Sequence, residues 1–175
     1  VRTADELLDI YLDAVGANAS LLLNLPPDTH GLIAKPDCDS LQELGEKINA
    51  IFANEVTNKA EVTADSAVER HPVTQSIDGN ENTYWQADCG KETATILLHF
   101  ANAQQVSCVV LGEHLPTGQR IESGEILADG NKVTEFTVVG HKRICRFAPV
   151  KVQDLTVKIT ASRIAPTLRL LTVYQ

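Results

Sequence analysis

The chain has 175 residues, 43% of them hydrophobic, enough to bury one ordinary core with an appendage. Its net charge of −8 is uneven: residues 1–55 carry three Lys/Arg (Arg2, Lys35, Lys47) against ten Asp/Glu, and the rest carry twelve against thirteen. No basic stripe offers a nucleic-acid footprint and no apolar run approaches the roughly 18 residues of a membrane span, so neither partner is expected.

The chain starts at Val1 without an initiator Met, a basic n-region or an apolar h-region, and reads as a processed protein or a piece of a longer one. Thr3 and Glu6 have capping-box spacing, and Leu7, Leu8, Tyr11, Leu12 and Val15 follow at helical intervals until Gly16. Ala19–Leu25 (ASLLLNL) is a short apolar run without alternation, as expected for a strand buried on both faces, and Pro26-Pro27 ends it. A second capping box, Ser40 with Glu43, is expected to open a helix carrying Leu41, Leu44, Ile48, Ile51 and Phe52. Such an α-β-α unit cannot enclose a core by itself.

From about Ala60 the period changes to two. In DLTVKIT, Leu155, Val157 and Ile159 share one face, while Thr156, Lys158 and Thr160 share the other. QQVSCVVLGE, IESGEILADG and NKVTEFTVVG are further strands, with Asp129-Gly130-Asn131 as a hairpin turn between the last two. Six to eight strands with short turns describe an antiparallel sandwich. The four cysteines (Cys38, Cys89, Cys108, Cys145) lack CxxC or zinc-ligand spacing. Cys108 and Cys145 fall inside apolar strand patterns and read as core thiols.

Three stretches now carry a resemblance. SIDGNENTYWQ (76–86) resembles the entry motif of factor V/VIII type C (discoidin-like) domains and of family 32 carbohydrate-binding modules, which are galactose-binding-like jelly rolls. EHLPTGQRIESGEI (113–126) and residues 140–174 resemble the version of this domain that follows the barrel of family 29 α-L-fucosidases. YLDAVGANASLLLNLPPDTHGLI (11–33) resembles the last helix, last strand and following loop of that family's (β/α)8-like barrel.

The resemblance implies a mainly β fold in two parts: residues 1–56 as the end of the barrel and 57–175 as the jelly-roll β-sandwich. It implies an exo-acting, retaining fucosidase as the parent, with periplasmic or extracellular localisation. Retaining hydrolysis needs two carboxyl groups about 5–5.5 Å apart. In the family these lie upstream of Val1, so no catalytic residue is assigned here. The implied partners are the catalytic barrel of the same polypeptide and fucosylated or galactose-containing glycans. Alternative readings are an autonomous galactose-type module or a discoidin-like interaction domain. Asn24 and Asp28 would lie at the functional face of the barrel, either supporting substrate or satisfying the turn beside Pro26-Pro27.

No cofactor is required under this resemblance, but it implies a structural calcium or sodium ion in the loop, with oxygens from Asp78, Asn80 and Thr83 and the carbonyl of Gln75. Leu170 stands where the family has a glutamate, and losing that carboxylate weakens a site that wants six to eight oxygens. The other reading is a closed turn at Asp78-Gly79. For sugar, the resemblance points to His114, Arg120 and Asn82 (or Asn80), although no aromatic falls within GEHLPTGQR (112–120). Arg120 has Glu113 and Glu122 as candidate ion partners. Trp85, the only Trp, is expected in the core, and His71, His99 and His141 read as ordinary surface or turn residues.

Overall fold

A computed structural model describes residues 2–175. Helix α1 (Ala4–Val15) begins as expected: Thr3 Oγ1 accepts the Glu6 N–H and the Glu6 carboxylate accepts the Thr3 N–H, so two otherwise unpaired donors are satisfied reciprocally. Helix α2 (Lys35–Ile51) departs from expectation. It starts five residues before Ser40, with Ala34 as a cap lacking any side-chain bond and Pro36 in the first turn. Proline is accommodated there because its missing N–H is one a helix start leaves unpaired anyway. Glu43 pairs with Lys47 one turn on, at 3.3 Å, and does not reach back to Ser40.

The expected strand over Ala19–Leu25 does not form. The segment is extended, but no described residue lies alongside it as a ladder partner, and the nearest pairing is an isolated bridge between Pro27 and Ile33. A strand buried on both faces exists only between neighbours. Without them Leu22 is 93% exposed.

The remainder is the antiparallel β-structure expected. Strands β1 (Ala60–Ala64), β3 (Ala94–Gly112), β6 (Arg143–Ser162), β4 (Ile121–Ala128) and β5 (Asn131–Phe136) follow one another in that spatial order. Strand β8 (Leu170–Tyr174) adds to β3, and β2 (Trp85–Gln86) pairs with β7 (Thr167–Leu168) as a separate ribbon. Register shifts between His99 and Gln104 and between Val106 and Cys108 bend β3. Residues on both sides of the bend, Ile96 and Leu98 as well as Val109 and Leu111, enter one core with Trp85, Leu155 and Leu168.

Alternation in β6 is as expected: Leu155, Val157 and Ile159 are at most 1% exposed. The β4–β5 turn places Asp129 and Gly130 at φ 46° and 80°, the left-handed pair a two-residue hairpin demands. The Asp129 carboxylate also accepts the N–H groups of Gln153 and Asp154 at 3.1 and 2.8 Å, fastening the turn to β6. Trp85 is fully buried and its indole N–H donates to the Ser66 carbonyl at 3.0 Å.

The front segment is joined to the sandwich at both helix C-termini. Gly16 O accepts the Ile144 N–H, Asn18 Oδ1 accepts the His141 N–H, and Val56 N–H donates to Val173 O. Phe52 packs edge-on against Tyr174, with centroids 5.2 Å apart.

Candidate functional site

The loops resembling a sugar-binding end converge where β3 finishes and β4 begins. Glu113 is fully buried, a placement carboxylates adopt only when well partnered. Its Oε1 accepts the Arg120 and Ile121 N–H groups at 2.6 and 2.9 Å, and its Oε2 accepts the Gly140 N–H at 2.7 Å. One carboxylate thereby closes the 113–120 loop and ties it to the loop before β6. The Arg120 guanidinium therefore takes neither expected partner: Nη1 donates to Ala165 O at 2.7 Å, while Glu122 pairs with Arg163 at 2.9 Å.

The aromatic absent from that loop arrives from another. Tyr84, at the end of the 76–86 stretch, stacks on His114 with centroids 3.8 Å apart and planes 9° from parallel. On its other face it stacks on His71 at 4.0 Å. His71 is thus part of a three-ring ladder, not an ordinary turn residue, and it also approaches the Gln75 side chain at 3.4 Å. With both faces covered, Tyr84 has no free face to offer a sugar.

His114 Nδ1, Arg120 Nε and Thr167 Oγ1 are buried and lack hydrogen-bond partners. Buried polar atoms are normally paired, so each of these three keeps unused hydrogen-bonding capacity. Burial first, then the charges of His71, Arg120 and Arg169, pushes the His114 pKa below its usual 6.5. Its neutral ring has one donor and one acceptor. Asn82 stays within its own loop: its backbone and side-chain nitrogens approach Asn80 Oδ1 at 3.0 and 3.4 Å.

That opening loop is a closed network. Asp78 Oδ1 accepts the Asn80 N–H at 2.8 Å and Oδ2 accepts the Thr83 hydroxyl at 2.7 Å. The side-chain oxygens of Asp78 and Asn80 are therefore engaged, and Gly79 takes φ 71° to close the turn. Gln75 donates its N–H to Pro72 O. Leu170, Arg169 and Lys142 share a hollow with Gly79 and Asn80, so the loop's neighbours are apolar or cationic. Of the loop's two carboxylates, Asp78 is spent on hydrogen bonds and Glu81 faces Arg169, which does not fit a tightly held divalent cation.

At the front, Asp28 accepts the N–H groups of His30 and Leu32 at 2.8 and 3.0 Å, and those bonds hold its carboxyl below the usual range. Asn24 borders a cavity of about 280 Å³ with Leu7, Leu22, Leu25, Asp37 and Leu41.

No family model matches the chain. Alpha-L-fucosidase 1 of Arabidopsis thaliana is 30% identical over 185 residues, 99% of this chain and 36% of that protein. The chain thus spans about a third of the length of the curated relatives it matches. A Ruminococcus gnavus GH29 fucosidase in complex with fucose superposes with a TM-score of 0.89 at 27% identity, over 99% of this chain and 37% of that one. The family 32 carbohydrate-binding module of Clostridium perfringens NanJ in complex with galactose shares the fold alone: TM-score 0.61, 20% identity, over 70% of this chain and 98% of the module. The longer matches run through the front segment as well as the sandwich, and on that ground the chain corresponds to the C-terminal part of glycoside hydrolase family 29 α-L-fucosidases.

Proposed function

We propose that the chain serves an exo-acting, retaining α-L-fucosidase, in which residues 1–56 complete a (β/α)8-like barrel and residues 57–175 form a sandwich that braces it. The observation that carries this reading is the match over 99% of the chain, front segment included. The exposed Leu22 supports it, because an apolar run without strand partners leaves a face that further barrel strands would cover. The catalytic pair belongs to that barrel, and the chain alone is non-catalytic.

The anchoring points favour bracing. Leu23 and Leu25 lie beside Arg2, Leu7 and Asp37, at the starts of both helices, whereas Val15 lies beside Asn18 and Ala19. The helices therefore run antiparallel to the extended segment, and the sandwich is bonded at the segment's N-terminal end. Barrel enzymes build their active sites at the C-terminal ends of their strands. The parent acts on fucosylated glycans in a periplasmic or extracellular setting and needs no calcium in the 78–83 loop.

Titrating an aryl α-L-fucoside against the purified chain, alone and mixed with the parent's barrel, tests this. Hydrolysis only in the mixture, with a melting temperature indifferent to EDTA, supports the reading. Hydrolysis by the chain alone overturns it. A second reading, an autonomous sugar module, is favoured by the unpaired His114 Nδ1 and Arg120 Nε, and saturable galactose binding lost in Arg120→Ala would establish it.

A further inference from the structure

In a chain of net charge −8, one hollow of about 270 Å³ gathers Arg169, Lys142 and His141 between the opening loop and the loop before β6. Leu170 gives it an apolar border and Asn80 a polar one. The Arg169 side chain is only 15% exposed, and its Nη2 donates to the His141 carbonyl at 3.2 Å. Nη1 meets only the Glu81 carboxylate, at 3.9 Å, and Glu81 is 86% exposed. Lys142 borders the same hollow, and its ammonium lies 5.4 Å from the Phe52 ring centroid. The remaining nearby carboxylate, Asp78, is spent on the Asn80 N–H and the Thr83 hydroxyl.

A guanidinium that is oriented and largely desolvated, but weakly paired by one solvated carboxylate, is prepared for a better oxyanion. Glu81 acts as a loosely held substitute for that anion. We infer that this hollow binds an oxyanion carried on a sugar ring, a sulfate ester or a carboxylate, with Arg169 as its fork and Lys142 as its second charge. The sugar half of the statement rests on the carbohydrate-acting reading above; the oxyanion half rests on the hollow alone.

The test titrates the 175-residue chain with lactose, lactose 3′-sulfate and 3′-sialyllactose by calorimetry, with inorganic sulfate as competitor. At least one charged sugar is expected to bind about tenfold more tightly than lactose, and the preferred one tells sulfate from carboxylate. Glu81→Gln, an exposed change that leaves the fold untouched, is expected to tighten that binding severalfold by removing the competitor, and Arg169→Lys to abolish the preference. Equal binding of charged and neutral sugars overturns the oxyanion site while the carbohydrate reading stands. Competition-free inorganic sulfate binding without any sugar binding overturns the sugar class and leaves an anion pocket. Unchanged affinity in Glu81→Gln overturns the inference outright.

Discussion

Asn18 and Gly140 touch across the junction between the front segment and the sandwich: a Cβ on Gly140 would collide with the Asn18 side-chain amide, and the adjacent His141 N–H donates to Asn18 Oδ1 at 2.6 Å. Gly140 also holds φ 58° and presents its own N–H to the buried Glu113. Gly140→Ala is therefore expected to lose about 2–4 kcal/mol, from left-handed strain together with overpacking. Urea unfolding measures this, and Asn18→Gly in the same background should recover part of the loss by opening the space.

Glu113 closes two loops through three backbone N–H groups, whereas Glu122 holds one exposed arginine. Glu113→Gln turns an amide donor toward N–H groups that need an acceptor and should cost about 2–3 kcal/mol. Glu122→Gln should cost under about 1 kcal/mol, as for exposed ion pairs generally. Equal losses in the two variants would show that the loop closes without the buried carboxylate.

His114 has a folded-state pKa below its usual 6.5, first because burial penalises its charged form. Below about pH 6.5 the unfolded chain then binds the proton more readily than the folded one, so this group lowers stability as pH falls through that value toward its folded pKa. His114→Phe keeps a ring on Tyr84 and removes the titration. Its stability profile between pH 7 and 5 should be flatter than that of the unchanged chain. Denaturation midpoints across that range check it, and parallel profiles would remove His114 from the pH response.

The four cysteines divide by environment. Burial pushes the Cys108 thiol up to about 11 and the Cys145 thiol up to about 12, whereas Cys38 and Cys89 are exposed. The thiolate is the reacting species, so a disulfide reagent at pH 8 should modify two thiols in the folded chain and four in guanidinium. Four fast-reacting thiols in the folded state would mean that the sandwich core opens readily.

Much of the architecture was legible because it is written locally. The Thr3–Glu6 box, the period of two in 154–160 and the Asp129-Gly130 hairpin each depend on residues a few positions apart, whose dihedral and hydrogen-bonding preferences act within one turn or one strand. Local rules also misled where the outcome depends on neighbours. Ala19–Leu25 carries a strand's composition without a ladder partner, and Ser40 with Glu43 carries a cap's spacing inside a helix that Lys35 and Pro36 had already begun.

The candidate site belongs mostly to the second kind of information. The resemblance marked His114 and Arg120 but not the contacts that define them, because Tyr84 and His71 reach His114 from loops some 30 and 43 positions earlier in the chain. Glu113 looked like an ion partner until the fold buried it under three N–H groups, and Arg169 met Glu81 only when β7 was laid against β2. The sequence by itself determined the period of each segment, its turns and the family it corresponds to. Only the tertiary structure decided which loops share one end of the sandwich, because long-range juxtaposition is set by the packing of the whole core and by no single stretch of residues.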